Sequence, residues 1–98
     1  MVDYLRVNNV AEDQWKWVEE MGWHNKRPLE YLALIASEVG EAVNECRGEE
    51  PTIELGEELA DIILRTLDMG QQFGFNMAEE IQAKMLKNYH NGTRGRIK

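Results

Sequence analysis

Cysteine occurs once in the 98 residues, at Cys46. No disulfide can therefore form within the chain, and a reducing compartment is expected. Histidine is nearly as scarce, at His24 and His90, which leaves too few thiolate or imidazole ligands for a zinc site. Neither histidine has a Glu three residues before it, so the Glu-x-x-His pairs of di-iron carboxylate bundles are missing as well. No apolar run approaches the ~18 residues that a membrane helix needs. Met1–Val10 contains no signal-peptide core, so a cytoplasmic protein without a membrane partner is expected. Basic residues are outnumbered, 11 Lys+Arg against 18 Asp+Glu for a net charge of −7. That balance argues against a nucleic-acid binder, which needs a broad basic face.

What is present is the composition of a globular protein, 43% hydrophobic and 30% charged. There are no repeats and no linker, and the length allows one domain over 1–98, with 91–98 as a basic tail. A chain this short buries only somewhat over ~60% of its unfolded surface, so its core is small and association with copies of itself is expected.

The charge is unevenly placed. Residues 84–98 hold Lys84, Lys87, Arg94, Arg96 and Lys98 and no acid. Between Glu38 and Asp61 there are nine acids and one base, Arg47. Charge runs of this kind are usually solvated helix faces, so the spacing of the acids has to supply any further meaning.

Between Gly22, Pro28, Gly48, Pro51 and Gly74 the apolar spacing is helical throughout, and nothing reads as a strand. Asn9 with Glu12 predicts a capping box and a first helix running to about Met21. Pro28 suits the first turn of a second helix, whose apolar stripe is Leu29, Leu32, Ala33, Ala36, Val39 and Val43, ending near Gly48. A third helix from Pro51–Thr52 to before Gly74 carries Leu55, Leu59, Ile62, Ile63, Thr66 and Leu67. Asn76 with Glu79 repeats the capping pattern for a fourth from about Met77 to Asn88, with Ile81 and Met85 inward. The short connection Arg47–Pro51 predicts an antiparallel hairpin of helices 2 and 3. The expected fold is all-α, with four helices.

On that hairpin, Glu38 and Glu41 share a helix face, and Glu45 continues it. Glu58 and Asp61 have the same spacing on the third helix. Carboxylates converging from two helices repel, which raises a pKa or recruits a cation. A hard divalent ion with oxygen ligands resolves the conflict, Mg²⁺ in particular, since it keeps waters and phosphate oxygens in its shell. A polyphosphate guest then needs cations, and Lys84 and Asn88 share one face of helix 4, followed by Arg94, Arg96 and Lys98. The plainer reading of these residues is favourable charge at a helix C-terminus. All three tryptophans lie early: Trp17 and Met21 are expected to pack inward, Trp15 suits a contact between subunits as well as a ligand, and Trp23–His24 can sandwich a base. Arg65 and Asp68 are expected to pair with each other.

Together, S-E-V-G-E at 37–41, E-E-L-A-D-I at 57–62 and K-M-L-K-N at 84–88 resemble the MazG-type all-α nucleoside triphosphate pyrophosphohydrolases. The order is E-x-x-E, a gap of 16 residues, E-x-x-D, then K-x-x-x-N about 20 residues later. The segment Trp23-His24 through Arg27-Pro28-Leu29 is similar to the dCTP-pyrophosphatase branch. The resemblance implies a four-helix MazG-like bundle, assembled as a homodimer or homotetramer. It implies Mg²⁺-dependent hydrolysis of an NTP or dNTP to the monophosphate and pyrophosphate by water attack at the α-phosphorus, with Mn²⁺ as a substitute metal. By position, Glu38, Glu41, Glu58 and Asp61 would hold the metal, and Lys84, Asn88 and Arg94 would meet the phosphates. Ser37 stands where many relatives carry a Glu, which leaves Glu38 or Glu41 as the water-activating base. Two other readings share these residues: a phosphoribosyl-ATP pyrophosphohydrolase, and a non-catalytic helical oligomer that binds nucleotides or proteins.

Overall fold

The computed structural model describes residues 4–91, and four α-helices account for most of them. They are α1 (Tyr4–Glu20), α2 (Pro28–Asn44), α3 (Leu55–Gln72) and α4 (Met77–Asn91). No strand occurs among the described residues. Among the described residues, no helix is long and apolar enough to cross a membrane. The all-α class with four helices is as expected, and so are the start of α2 at Pro28 and of α4 at Met77.

The ends of the helices have local chemical causes. Glu30 reaches back to accept the Arg27 backbone N–H at 2.7 Å, which complements a proline start that has no N–H to satisfy. Asn76 Oδ1 accepts the Glu79 N–H at 3.1 Å, capping α4. α1 and α3 both stop in the same way. Gly22 and Gly74 take φ of +74° and +82°, and the bonds Trp23 N–H to Val18 O and Phe75 N–H to Gly70 O close each terminus.

α3 is the central helix, with α1 and α2 both packed along it and α4 against α1 and the end of α3. α2 and α3 run antiparallel: Thr52 bonds Glu45 beside the turn, while Arg65 bonds Glu38 about two turns further away. Asn8 of α1 bridges to α4, donating to Asn76 Oδ1 at 2.8 Å and accepting the Ala78 N–H at 3.0 Å. At the α3–α4 crossing, a Cβ on Gly70 would stand 2.5 Å from Met77 Cγ and Sδ, so only glycine permits this approach.

Several expectations need correcting. α1 begins at Tyr4, so Asn9 lies inside the helix and caps nothing; the neighbouring Asn8 is the one used, for α4. α3 begins at Leu55, because Glu45 holds the Thr52 N–H and hydroxyl and keeps 45–54 as a loop. Trp17 and Met21 are about half exposed, and so is Met85. The largest correction concerns α2. Its inward residues are Tyr31, Glu38 and Ala42, whereas the apolar stripe Leu29, Leu32, Val39 and Val43 faces outward, Leu29 being 74% and Val43 55% exposed. Two of the inward residues have partners on or beside α3: Tyr31 meets Phe73 edge to face at 5.6 Å, and Glu38 meets Arg65. Among the described residues the buried apolar ones are few, Ala11 and Val18 on α1, Tyr31 and Ala42 on α2, Leu67 on α3 and Ala78 on α4.

Candidate metal centre and adjoining cavity

The α2–α3 pairing brings three of the four expected carboxylates together. One oxygen each from Glu38, Glu58 and Asp61 lies within 4.8 Å of the others. Glu38 is buried, and Glu58 and Asp61 are half-buried. Glu41 is exposed and outside this triple, yet its charge still reaches Glu58. Glu45 is engaged with Thr52 at the turn.

Glu58 shows the tension at the centre most clearly. Its Oε1 is buried without a hydrogen-bond partner. Desolvation first, and then the negative charges of Glu41, Asp61, Glu38 and Glu45, hold its carboxyl above the ordinary value. An unpartnered carboxylate oxygen beside two others, with no nitrogen or sulfur donor in the triple, is a donor set suited to a hard divalent cation. The residues present therefore fit the metal that the sequence suggested, without distinguishing Mg²⁺ from other hard ions.

Next to the triple opens a cavity of about 500 Å³ between α1, α2 and α3. Trp17, Trp23 and Tyr31 give it aromatic walls, Lys26 and Arg65 supply positive charge, and Asp61 joins it to the carboxylates. Trp17 and Trp23 meet edge to face with centroids 5.2 Å apart. The Tyr31 hydroxyl is buried beside the Lys26 backbone, and burial raises its pKa. Trp23, named in the base-contact reading, lies on this cavity wall.

His24 is not. Its side chain is only 4% exposed. Nδ1 lies 2.8 Å from Glu19 Oε1, and Nε2 lies 2.8 Å from Asp68 Oδ1. The ring stacks on Trp15 at 5.1 Å, and Trp15 is itself fixed by Nε1–H donating to Gln72 Oε1 at 2.7 Å. With both nitrogens and one face occupied, His24 is withdrawn from any base and instead fastens the Trp23–Lys26 loop to α1 and α3. Two carboxylates offer it more than a transient ligand edge does.

The expected Arg65–Asp68 pair is likewise replaced. Arg65 Nε donates to Glu38 Oε2 at 2.8 Å, and Asp68 serves His24. Lys84 and Asn88 are exposed on α4, do not line the cavity, and lie on a helix whose backbone does not approach α2. Arg94 lies outside the described residues.

Arg65, Tyr31, Lys26 and Trp17 line the cavity, and motif spacing did not single them out. A signal for two of them is present in the sequence: Tyr31 precedes Glu38 by seven residues and Arg65 follows Glu58 by seven, two helical turns in each case and therefore the same face. No family model, no curated protein and no solved structure matches the chain.

Proposed function

We propose that this chain is a divalent-metal-dependent nucleoside triphosphate pyrophosphohydrolase. The observation that carries the reading is the Glu38–Glu58–Asp61 triple, with its orphaned Glu58 oxygen, opening onto a cavity that pairs aromatic walls with two cations. That combination offers oxygen ligands for a metal, cationic contacts for phosphates and flat surfaces for a base.

In this reading Glu38, Glu58 and Asp61 hold Mg²⁺, with Mn²⁺ as a substitute. When bound, the metal supplies charge stabilisation for a triphosphate and its pyrophosphate leaving group. Water forms a bond to the α-phosphorus as the α–β bridging P–O bond breaks, giving the monophosphate and pyrophosphate. Of the two candidate bases, Glu38 is committed to the triple, so Glu41 takes the proton of the attacking water. Trp23 and Trp17 hold the base, and the Tyr31 hydroxyl on the cavity wall bonds a polar group of the ligand. Lys84 and Asn88 meet phosphates only if a second copy of the chain presents them.

Self-association is part of the proposal. It is supported by the outward apolar stripe of α2 and by Leu59 and Ile63, also exposed, on α3.

Incubation with a panel of NTPs and dNTPs, phosphoribosyl-ATP included, and Mg²⁺ tests the activity. The expected result is monophosphate and pyrophosphate from at least one nucleoside triphosphate, lost in Glu41→Gln. Turnover of phosphoribosyl-ATP alone would move the assignment to that substrate, and no product from any substrate overturns the enzyme reading.

A further inference from the structure

Arg65 stands between the two halves of the site. Its Nε bonds Glu38 Oε2 at 2.8 Å, and its side chain also lines the cavity with Trp23, Lys26 and Tyr31. It is 42% exposed, against 11% for Glu38, so the pair has one anchored partner and one with room to move. Lys26, the other cation of the cavity wall, is tied to its own loop, donating to the Trp23 carbonyl and Asn25 Oδ1 at 3.1 and 3.2 Å. Arg65 instead bonds across to α2, to a carboxylate that a metal would also claim.

A divalent ion on Glu38 draws charge from its carboxylate and weakens its hold on the Arg65 guanidinium. Two cations on one carboxylate repel each other, and in a partly desolvated site that repulsion is large compared with the same contact in water. The arginine stem is long and flexible, and its planar head matches the geometry of phosphate oxygens.

We propose that Arg65 is a partner-exchanging cation: it neutralises Glu38 in the metal-free protein and, when a divalent ion takes Glu38, turns its guanidinium into the cavity to grip a phosphate oxygen of the ligand. This rests on the metal-site reading given above and adds an order to it, metal first and phosphate second. It also predicts effects of opposite sign from one substitution. Removing the charge frees Glu38 for the metal and deprives the phosphate of its grip. A merely structural ion pair would weaken both when broken.

The test uses the full chain, with Mn²⁺ binding read by electron paramagnetic resonance and binding of inorganic tripolyphosphate in saturating Mg²⁺ read by calorimetry. Arg65→Gln is expected to bind Mn²⁺ about tenfold more tightly and tripolyphosphate about tenfold more weakly, the scale of one charge-assisted contact. Arg65→Lys keeps the charge but not the fork. It is expected to leave Mn²⁺ binding unchanged and to weaken tripolyphosphate severalfold. If Arg65→Gln loses its helical circular dichroism, Arg65→Lys decides alone. Unchanged or weaker Mn²⁺ binding in folded Arg65→Gln, or unchanged tripolyphosphate binding in either folded variant, overturns the exchange while leaving the metal site standing. Failure of the unsubstituted protein to bind Mn²⁺ overturns the metal reading itself.

Discussion

Glu58 has more negative neighbours than any single hydrogen bond could offset, and its buried oxygen has no bond at all. Its carboxyl is held above the ordinary value, so between that ordinary value and the raised one the folded chain binds a proton that the unfolded chain releases. The sign follows from linkage: in the absence of metal, this residue's contribution to stability grows as pH falls through that window and is lost as pH rises through it. Glu58→Gln should therefore melt at a higher temperature than the parent at pH 7 in EDTA, and the two curves should converge below the ordinary glutamate range. Thermal denaturation across pH 4–8 checks this. A divalent ion stabilises the folded state in proportion to its affinity, so added Mg²⁺ should raise the parent's melting temperature and raise that of Glu58→Gln much less. At the same scale, Arg65 and Asp68 show why a spacing rule can mislead. An i, i+3 arginine–aspartate pair is sterically available on α3, but each residue faces a partner from another element, Glu38 in one case and His24 in the other. Partly buried charges settle with the groups beside them in space, because there the loss of water makes a close partner count for most.

Among the elements, α3 sets the geometry and α4 depends on it. The end of α3 approaches α4 through Gly70, and a methyl group there would overlap Met77 Cγ and Sδ at 2.5 Å. Gly70→Ala should destabilise the chain by about 1–3 kcal/mol through overpacking, read as a lowered urea midpoint. Met77→Ala added to it should restore part of the loss. The capping of α4 by Asn76 was visible as Asn-x-x-Glu, because that signal is local. The equivalent reading of Asn9 and Glu12 failed because helical residues extend back to Tyr4, and a cap needs a chain that enters the helix at that point. The α2–α3 hairpin was legible from Pro28, the helical spacing and the short Arg47–Pro51 connection. The rotation of α2 about its axis was not, since it depends on which residues of α3 await it.

That rotation governs the molecule as a whole. With Tyr31, Glu38 and Ala42 turned toward α3, the most apolar stripe of α2 is left on the outside. The buried apolar set is small and half of it is alanine. An exposed apolar helix face of this kind marks an interaction surface, and in the proposed assembly a second copy covers it. The chain is expected to elute with a mass at least twice 11.4 kDa. Val39→Glu and Val43→Glu should each shift it toward the monomer in light scattering, because a charge placed in a desolvated interface is costly. Elution of the parent as a monomer would remove the assembly from the proposal without touching the carboxylate triple.

The sequence by itself determined the all-α class, the order of the four helices, the turn between α2 and α3, and the spacing that lets Glu38, Glu58 and Asp61 meet. These follow from local periodicity, proline and capping chemistry, which act within a few residues of each other. Only the tertiary structure decided which face of α2 turns inward, that Glu41 stands outside the triple, that both nitrogens of His24 meet carboxylates, and that Arg65 joins Glu38 at the cavity wall. Each of those depends on contacts between residues far apart in the chain, where burial and the competition among charged neighbours choose the partner.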